Sequence, residues 1–134
     1  HIIGKFHTVK PNKLEAELIS GIKIEDDKSM LSAAQKIFEM GCKQIFITLG
    51  RDGVFYFDGD EHGHHLHQGV KMMSANGAGD AFTAGVVYGF LNLNSIKETS
   101  QFASAAAVIA LQSKSTISES LSVHNIKLLL KDDV

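Results

Sequence analysis

The chain has 134 residues, of which 44% are hydrophobic and 21% are charged, and its formal net charge is −2. Such a composition is typical of a soluble globular protein and allows one sizeable core. The charges are spread along the chain, so no basic patch indicates binding to nucleic acid or to an anionic membrane. The single cysteine, Cys42, excludes an internal disulfide framework, and no apolar run reaches the roughly 20 residues that span a bilayer. We therefore expect a protein of a reducing, cytoplasmic compartment that binds small molecules.

The first third of the chain predicts a strand followed by two helices. Residues 3–9 contain β-forming residues, and the proline at position 11 ends this strand because it lacks a backbone donor. Asn12 is a suitable N-cap for a helix that continues through Ile19. Residues 27–41 predict a second helix, since their apolar side chains recur every three to four positions.

The middle of the chain predicts two strands and a hairpin. Residues 44–48 form a compact apolar run, residues 49–53 carry turn signals, and residues 54–57 return as a second strand. Residues 58–60 then predict a turn whose partner strand covers residues 64–72. This hairpin is expected to add an antiparallel edge to the sheet.

Three helices are predicted in the last part of the chain. One begins near Gly77, one is capped by Ser95 and continues to about Gln112, and one covers residues 122–131. Helices that alternate with short apolar strands are typical of an α/β fold with a mainly parallel sheet. The fold class expected from the pattern is therefore α/β.

The segment Asn76-Gly77-Ala78-Gly79-Asp80 lies between the predicted hairpin and the helix that follows. Two glycines let the backbone approach a ligand, and the unpaired amides of a helix's first turn favour an anion such as phosphate. Asp80 is expected in that first turn, where its carboxylate is electrostatically favoured and could act as a base beside a bound phosphoryl group. A glycine-rich helix start with a stabilising acid, and with no ligand, explains the same spacing.

The residues Gly77-Ala78-Gly79-Asp80, together with Ala81-Phe82 and Gly85, resemble the signature of ribokinase-type (PfkB) carbohydrate kinases. The resemblance implies a three-layer α/β/α fold, of which residues 1–134 would be the C-terminal, nucleotide-binding portion. It also implies that the amides of Gly77, Ala78 and Gly79 form an anion hole and that Asp80 deprotonates a sugar hydroxyl.

Two further segments match the same family in order and distance. Residues 11–15 are similar to its Asn-x-x-Glu motif, which implies that Asn12 and Glu15 help to hold Mg²⁺ near the phosphates. Without the other matches, the same pair would be a helix capping box, and both roles can coexist. Residues 48–53 resemble the family's nucleotide loop, which implies nucleotide contacts by Thr48, Gly50 and Gly53.

Residues 103–122 resemble the helix and loop that border the adenine in this family. Together with the anion-hole segment they imply further nucleotide contacts by Asn76, Ala106, Ser113 and Thr116. The sequences of residues 7–15 and 113–118 are similar to those of pseudouridine kinases. Ser74-Ala75 departs from the family's usual Asp-Thr pair, which leaves any cation role of that pair open.

The resemblance thus implies ATP-dependent transfer of a phosphoryl group to a sugar or nucleoside, with Mg²⁺ as cofactor and a homodimer as the full-length form. Because the sequence begins with His1 and not with Met, and residues 2–10 already resemble an interior strand, we expect an upstream portion that carries the sugar pocket and the lid. Residues 1–134 alone would then be inactive.

Two other functional classes fit part of the pattern. A dinucleotide-binding oxidoreductase also has a glycine-rich strand-to-helix turn, but Gly77 and Gly79 lack the third glycine of that fingerprint. A nucleotide-binding piece without catalysis fits the length, because the domain that the chain resembles is about twice as long.

Four histidines at positions 62, 64, 65 and 67 suggest a metal site on the predicted hairpin. No Cys or carboxylate joins His64 and His67 at a familiar ligand spacing, so an exposed hairpin with solvated imidazoles is the preferred interpretation. Cys42 precedes a buried strand and is interpreted as a small core residue.

Overall fold

A computed structural model describes residues 2–66, 76–92, 94–111 and 123–132. The helices are α1 (Lys13–Ser20), α2 (Asp27–Glu39), α3 (Asn76–Leu91), α4 (Ile96–Leu111) and α5 (Val123–Asp132), and the strands are β1 (Thr8–Val9), β2 (Gln44–Thr48), β3 (Val54–Phe57) and β4 (His62–His65). Two short 3-10 helices cover Ile2–Lys5 and Gly50–Asp52. The chain divides into two compact units, His1–Leu49 with Val54–His64 and Gly50–Gly53 with His65–Val134.

The described strands form one mixed sheet in the order β1-β2-β3-β4. Strand β1 is parallel to β2, with Val9 opposite Ile45, and β2 is antiparallel to β3, with Thr48 opposite Val54. The β3–β4 hairpin closes through Asp58, whose Oδ1 accepts hydrogen bonds from the amides of Asp60 and Glu61. The α/β class and the antiparallel hairpin at one edge are confirmed, but β4 begins at His62 and not at the predicted residue 64. Among the described strands, β1 and β2 are the parallel pair.

The first unit buries the apolar faces of α2, β2 and β3 together. Helix α2 is amphipathic, as its sequence spacing predicts. The buried face of α2 and the two strands pack together with residues of α1 and the connecting segments. This core consists of Ala16, Ile24, Met30, Ala33, Ala34, Ile37, Cys42, Ile45, Ile47, Phe55 and Phe57. Cys42 is fully buried and donates its S–H toward the Ile3 carbonyl at 3.1 Å, and burial raises the pKa of its thiol. The interpretation of Cys42 as a core residue is confirmed.

The predicted strand over residues 3–9 is wrong in its first part. Residues Ile2–Lys5 form a 3-10 helix, and only Thr8–Val9 pair in the sheet. Gly4 lies so close to the Met40 carbonyl that no Cβ could be placed between them. A close tertiary contact therefore accompanies the helical turn and outweighs the local β-propensity.

The second unit is built on the pair α3 and α4, which approach closely through small residues. A Cβ added at Gly85 would lie 2.6 Å from the Ala103 Cα, so any side chain at position 85 would separate the helices. The rings of Tyr88 and Phe102 stack with centroids 4.5 Å apart. The core of this unit, which α5 completes, contains Ala81, Phe102, Ala105, Ala106, Ile109 and Ile126. Within the described ranges, no helix is both long and apolar enough to cross a membrane.

Candidate functional site

The first unit places three of the predicted site residues together, where β1 and β2 end. Because parallel strands finish at the same edge of a sheet, the residues that follow them become neighbours. The Thr48 amide donates to the Pro11 carbonyl at 2.9 Å, and Asn12 and Thr48 form an isolated parallel bridge. Glu15 follows three residues later on α1.

Asn12 and Glu15 form a reciprocal capping box at the start of α1, as their spacing predicts. The Asn12 Oδ1 accepts from the Glu15 amide at 2.8 Å, and the Glu15 Oε1 accepts from the Asn12 amide at 2.8 Å. Two amides that a helix start leaves unpaired are satisfied in this way. The cap uses only one carboxylate oxygen of Glu15, and both side chains are exposed. This set of oxygen donors suits Mg²⁺, which prefers hard oxygen ligands and retains several of its waters.

The predicted nucleotide loop is a 3-10 turn whose two glycines have left-handed backbone conformations. Gly50 has φ of 59° and Gly53 has φ of 91°, and the Gly53 amide donates to the Gly50 carbonyl at 3.2 Å. A Cβ at Gly53 would also collide with the backbone carbonyl of His65. Backbone geometry alone therefore accounts for both glycines.

The anion-hole segment forms the first residues of α3. The described part of α3 begins at Asn76, so Gly77, Ala78 and Gly79 are its second to fourth residues, at the helix end where backbone amides can bind an anion. The expectation that Asp80 also lies in this turn is wrong: it is the fifth helical residue, and the first turn contains no acid. The helix starts one residue earlier than the sequence suggests, which moves the exposed Asp80 carboxylate beyond the turn where the helix dipole acts most strongly.

Gly79 differs from the other glycines because neither its backbone angle nor a contact with the described residues requires glycine. Its backbone is helical and lies outside the left-handed region, and a Cβ added to it would meet no atom of the described residues within 4 Å. Glycine in a helix costs roughly 0.5–1 kcal/mol relative to alanine. Open space at a Cβ position in the first turn of a helix is suited to the close approach of a phosphate.

The remaining predicted contacts fall partly outside the described residues. Ala106 is buried in the core of the second unit and borders an apolar groove of about 250 Å³ between α3, α4 and α5. Ser113 and Thr116 lie outside the described residues, as does His67. His64 lies on β4 and is exposed, and the described part of the chain contains no group of three side chains that could hold a metal ion.

Thr83 has no role in the sequence prediction, although it lies one turn beyond Gly79. Its hydroxyl donates to the Gly79 carbonyl at 3.0 Å. A threonine four residues after a glycine at a helix start is the signal that could have identified it, because threonine hydroxyls bond to the carbonyl four residues earlier.

Comparison with known proteins decides the family. Residues 1–123 match the pfkB family of carbohydrate kinases. The chain belongs to this family. The matched region includes the three motifs, at residues 12–15, 48–53 and 76–80. The alternative of a dinucleotide-binding oxidoreductase is therefore excluded.

Relatives of the chain include several sugar and nucleoside kinases. It is 30% identical over 131 residues to the pseudouridine kinase of Escherichia coli K12, which covers 97% of this chain and 42% of the relative. It is 32% identical over 103 residues to the 1-phosphofructokinase of the same strain, covering 77% of this chain and 33% of that protein.

Solved structures share the fold. A crystal structure of a candidate sugar kinase from Clostridium perfringens superposes with a TM-score of 0.93 at 34% identity, covering 98% of this chain and 42% of that one. Ribokinase of Arabidopsis thaliana, solved with ribose and ATP, gives a TM-score of 0.81 at 25% identity over 97% of this chain and 42% of that chain. The chain thus spans less than half the length of these relatives.

Proposed function

We propose that residues 1–134 form the C-terminal, nucleotide-binding portion of a kinase domain that transfers the ATP γ-phosphoryl group to a hydroxyl of a sugar or nucleoside. The observation that carries the proposal is the open Cβ position of Gly79 in the first turn of α3, the end of a helix that presents backbone amides to an anion. The substrate pocket and the lid belong, in this proposal, to a further portion of the full-length protein. The family and the kinase names of the relatives support it.

Asp80 is the proposed catalytic base. Its exposed carboxylate lies one residue beyond Gly79, so a hydroxyl that attacks a phosphoryl group held by the first turn would be within its reach. The Gly77, Ala78 and Gly79 amides are the proposed anion hole. Phosphoryl transfer asks the protein mainly to position the groups and to neutralise charge, which backbone amides do without reorganising.

Asn12 and Glu15 are the proposed Mg²⁺ residues. Bound Mg²⁺ would neutralise charge on the nucleotide phosphates. The Glu15 carboxylate keeps one oxygen outside the capping box, so it can bind the ion or one of its waters without opening the helix start. The remaining proposed nucleotide contacts are Thr48, Gly50, Gly53, Asn76, Ala106, Ser113 and Thr116.

For the acceptor we propose pseudouridine as the first compound to test. The relative with that printed activity aligns with nearly the whole chain, whereas the 1-phosphofructokinase alignment is shorter. Both relatives extend well beyond the matched region, so the acceptor pocket lies in sequence that this chain does not supply. We further propose a cytoplasmic homodimer for the full-length protein.

The deciding experiment assays the full-length protein with ATP and Mg²⁺ against pseudouridine, ribose and fructose 1-phosphate. We expect turnover of one of these acceptors, with ADP and phosphorylated acceptor formed in equal amounts. ADP formation that does not depend on any sugar or nucleoside would contradict the proposed reaction.

A nucleotide-binding piece without catalysis remains the alternative for residues 1–134 taken alone. The described residues supply a helix start for phosphate, whereas catalysis also needs the acceptor hydroxyl held about 3–3.5 Å from the phosphorus. We expect the isolated chain to bind ATP weakly and to phosphorylate none of these acceptors. Robust turnover by a monomer of residues 1–134 would show that no further portion is required.

A further inference from the structure

Thr83 makes a hydrogen bond to the peptide group that joins the proposed anion hole to the proposed base. Its Oγ1 donates to the carbonyl oxygen of Gly79 at 3.0 Å. That carbonyl and the Asp80 amide belong to the same planar peptide group, so a bond that fixes one also fixes the other. The Thr83 hydroxyl therefore acts on the backbone at the point where Gly79 and Asp80 meet.

The turn that receives this bond is poorly stabilised by its own sequence. Gly77 and Gly79 each lower helix stability, and neither they nor Ala78 has a polar side chain that could hold the turn. The first turns of α2 and α4 are closed by capping boxes at Asp26 and Ser95, whereas the residue before Asn76 lies outside the described residues. The Thr83 hydroxyl is a side-chain donor that reaches back to this turn from the next one and can set the local direction of its backbone.

Because the Thr83 hydroxyl donates to the Gly79 carbonyl, it does not donate to the Asp80 carboxylate. Residues three apart on a helix are surface neighbours, with Cβ atoms about 5–6 Å apart, so Thr83 is close enough to interact with Asp80. A hydroxyl has only one proton, and the Thr83 proton is directed to the Gly79 carbonyl. Thr83 therefore does not compete with an acceptor hydroxyl for the base.

We propose that Thr83 is a positioning residue for the kinase reaction, which it serves by holding the Gly79–Asp80 peptide and thereby the direction of the Asp80 side chain. The proposal rests on the proposed function, because it assumes that Asp80 acts as the base. Thr83 itself contacts neither nucleotide nor acceptor in this role. Its removal should therefore lower kcat and leave the KM for both substrates nearly unchanged.

The test replaces Thr83 in the full-length protein with Val, which keeps the shape but lacks the hydroxyl, and with Ser, which keeps the hydroxyl. We expect Thr83→Val to lower kcat about three- to tenfold, the range that corresponds to one hydrogen bond, and Thr83→Ser to restore most of the rate. Steady-state kinetics with each substrate varied gives the separation of kcat from KM. Position 83 is exposed, so both variants should fold, and their urea midpoints check this directly.

Ser32 provides a matched control. Its hydroxyl donates to the Lys28 carbonyl four residues earlier at 3.0 Å, which is the same kind of bond on α2. Ser32→Ala should change the urea midpoint by a similar small amount and leave kcat unaltered. Equal effects of Thr83→Val and Ser32→Ala on kcat, or a Ser variant as slow as the Val variant, would overturn the positioning role.

The outcomes also separate this inference from the proposed function. The first possible outcome is that the wild-type protein is active, Asp80→Asn is inactive and Thr83→Val has a normal kcat. This outcome would support the proposed function and contradict the positioning role of Thr83. A wild-type protein without kinase activity would reject both.

Discussion

Two helix starts in this chain match ligand-binding motifs of the same family, yet the fold explains them to different degrees. At the start of α1, Asn12 and Glu15 satisfy each other's amides at 2.8 Å, and the cap is complete without any ligand. At the start of α3, neither the backbone angle of Gly79 nor a contact within the described part of the chain requires glycine. The second start therefore carries the stronger indication of a bound phosphate.

The start of α4 shows that a reciprocal capping box like that of α1 does not by itself indicate a ligand site. Ser95 and Glu98 form the same kind of reciprocal cap, with Glu98 Oε1 accepting from the Ser95 amide at 3.0 Å and Ser95 Oγ accepting from the Glu98 amide at 3.1 Å. No ligand role is proposed for that pair. The proposed Mg²⁺ role of Asn12 and Glu15 thus rests on the motif resemblance, and the pair at Ser95 and Glu98 provides a control for it.

The largest expected effect is that of Asp80→Asn. The substitution keeps the size of the side chain and removes the base, so kcat should fall by about 10²–10⁴-fold while the Kd for ATP changes only a few-fold. Single-turnover kinetics beside a nucleotide-binding titration measures the two quantities. A variant that retains wild-type turnover would remove Asp80 from the mechanism.

The next effect separates the functional glycine from the structural ones. Gly79→Ala should raise the free energy of unfolding by roughly 0.5–1 kcal/mol, because alanine favours a helix and its methyl group meets no neighbour. It should also lower kcat/KM for ATP by on the order of tenfold or more, because the methyl group occupies the space proposed for phosphate. Urea denaturation tests the predicted increase in stability, and steady-state kinetics on the same preparation tests the predicted decrease in kcat/KM.

Gly21→Ala is the matched control for that experiment. Gly21 caps the end of α1 with φ of 73°, and a Cβ there would likewise meet no atom within 4 Å. Alanine in this left-handed conformation should cost roughly 1–2 kcal/mol of stability without altering kcat/KM. If Gly79→Ala and Gly21→Ala had the same effect on stability and activity, the distinction between the two glycines would be lost.

Local signals predicted most elements of the fold, and long-range contacts account for the failures. Nearby residues were sufficient to predict the helix caps at Asn12 and Ser95 and the strands at residues 44–48 and 54–57. The structure confirms these four predictions. The strand predicted at residues 3–5 failed because Gly4 packs against a residue far along the chain, a contact that no local pattern contains.

The candidate site was predictable as a set of motifs but not in its geometry. The sequence identified Gly77–Asp80, yet it placed Asp80 one position too close to the helix start, because Asn76 belongs to α3. It also gave no role to Thr83, because the four-residue spacing from Gly79 allows a hydroxyl-to-carbonyl bond without showing that the bond forms. Motif spacing fixes which residues are near one another along the chain, whereas hydrogen-bond direction requires the structure.

A smaller effect is expected from Glu15→Gln compared with Glu98→Gln. Glutamine can replace glutamate in a capping box, so both variants should lose little stability. Only Glu15→Gln should raise the Mg²⁺ concentration needed for half-maximal activity, by several-fold, because it removes a charged oxygen ligand. A Mg²⁺ titration of both variants decides this point, and equal Mg²⁺ dependence would leave Glu15 with its capping role alone.

The smallest effect concerns the acid stability of the helix starts that are closed by caps. Hydrogen bonds from the Ser29 amide and hydroxyl lower the pKa of Asp26, and those made with Ser95 lower the pKa of Glu98. A carboxylate whose pKa is lower in the folded state stabilises the protein fully above its unfolded pKa, and this contribution is lost as the pH falls through the folded pKa. The urea midpoint should therefore decrease below about pH 4.5, and the double variant Asp26→Asn, Glu98→Gln should decrease less steeply over the same range. The first turn of α3 contains no acid and should not contribute to this slope. An unchanged slope in the double variant would show that the acid sensitivity arises at carboxylates other than these two caps.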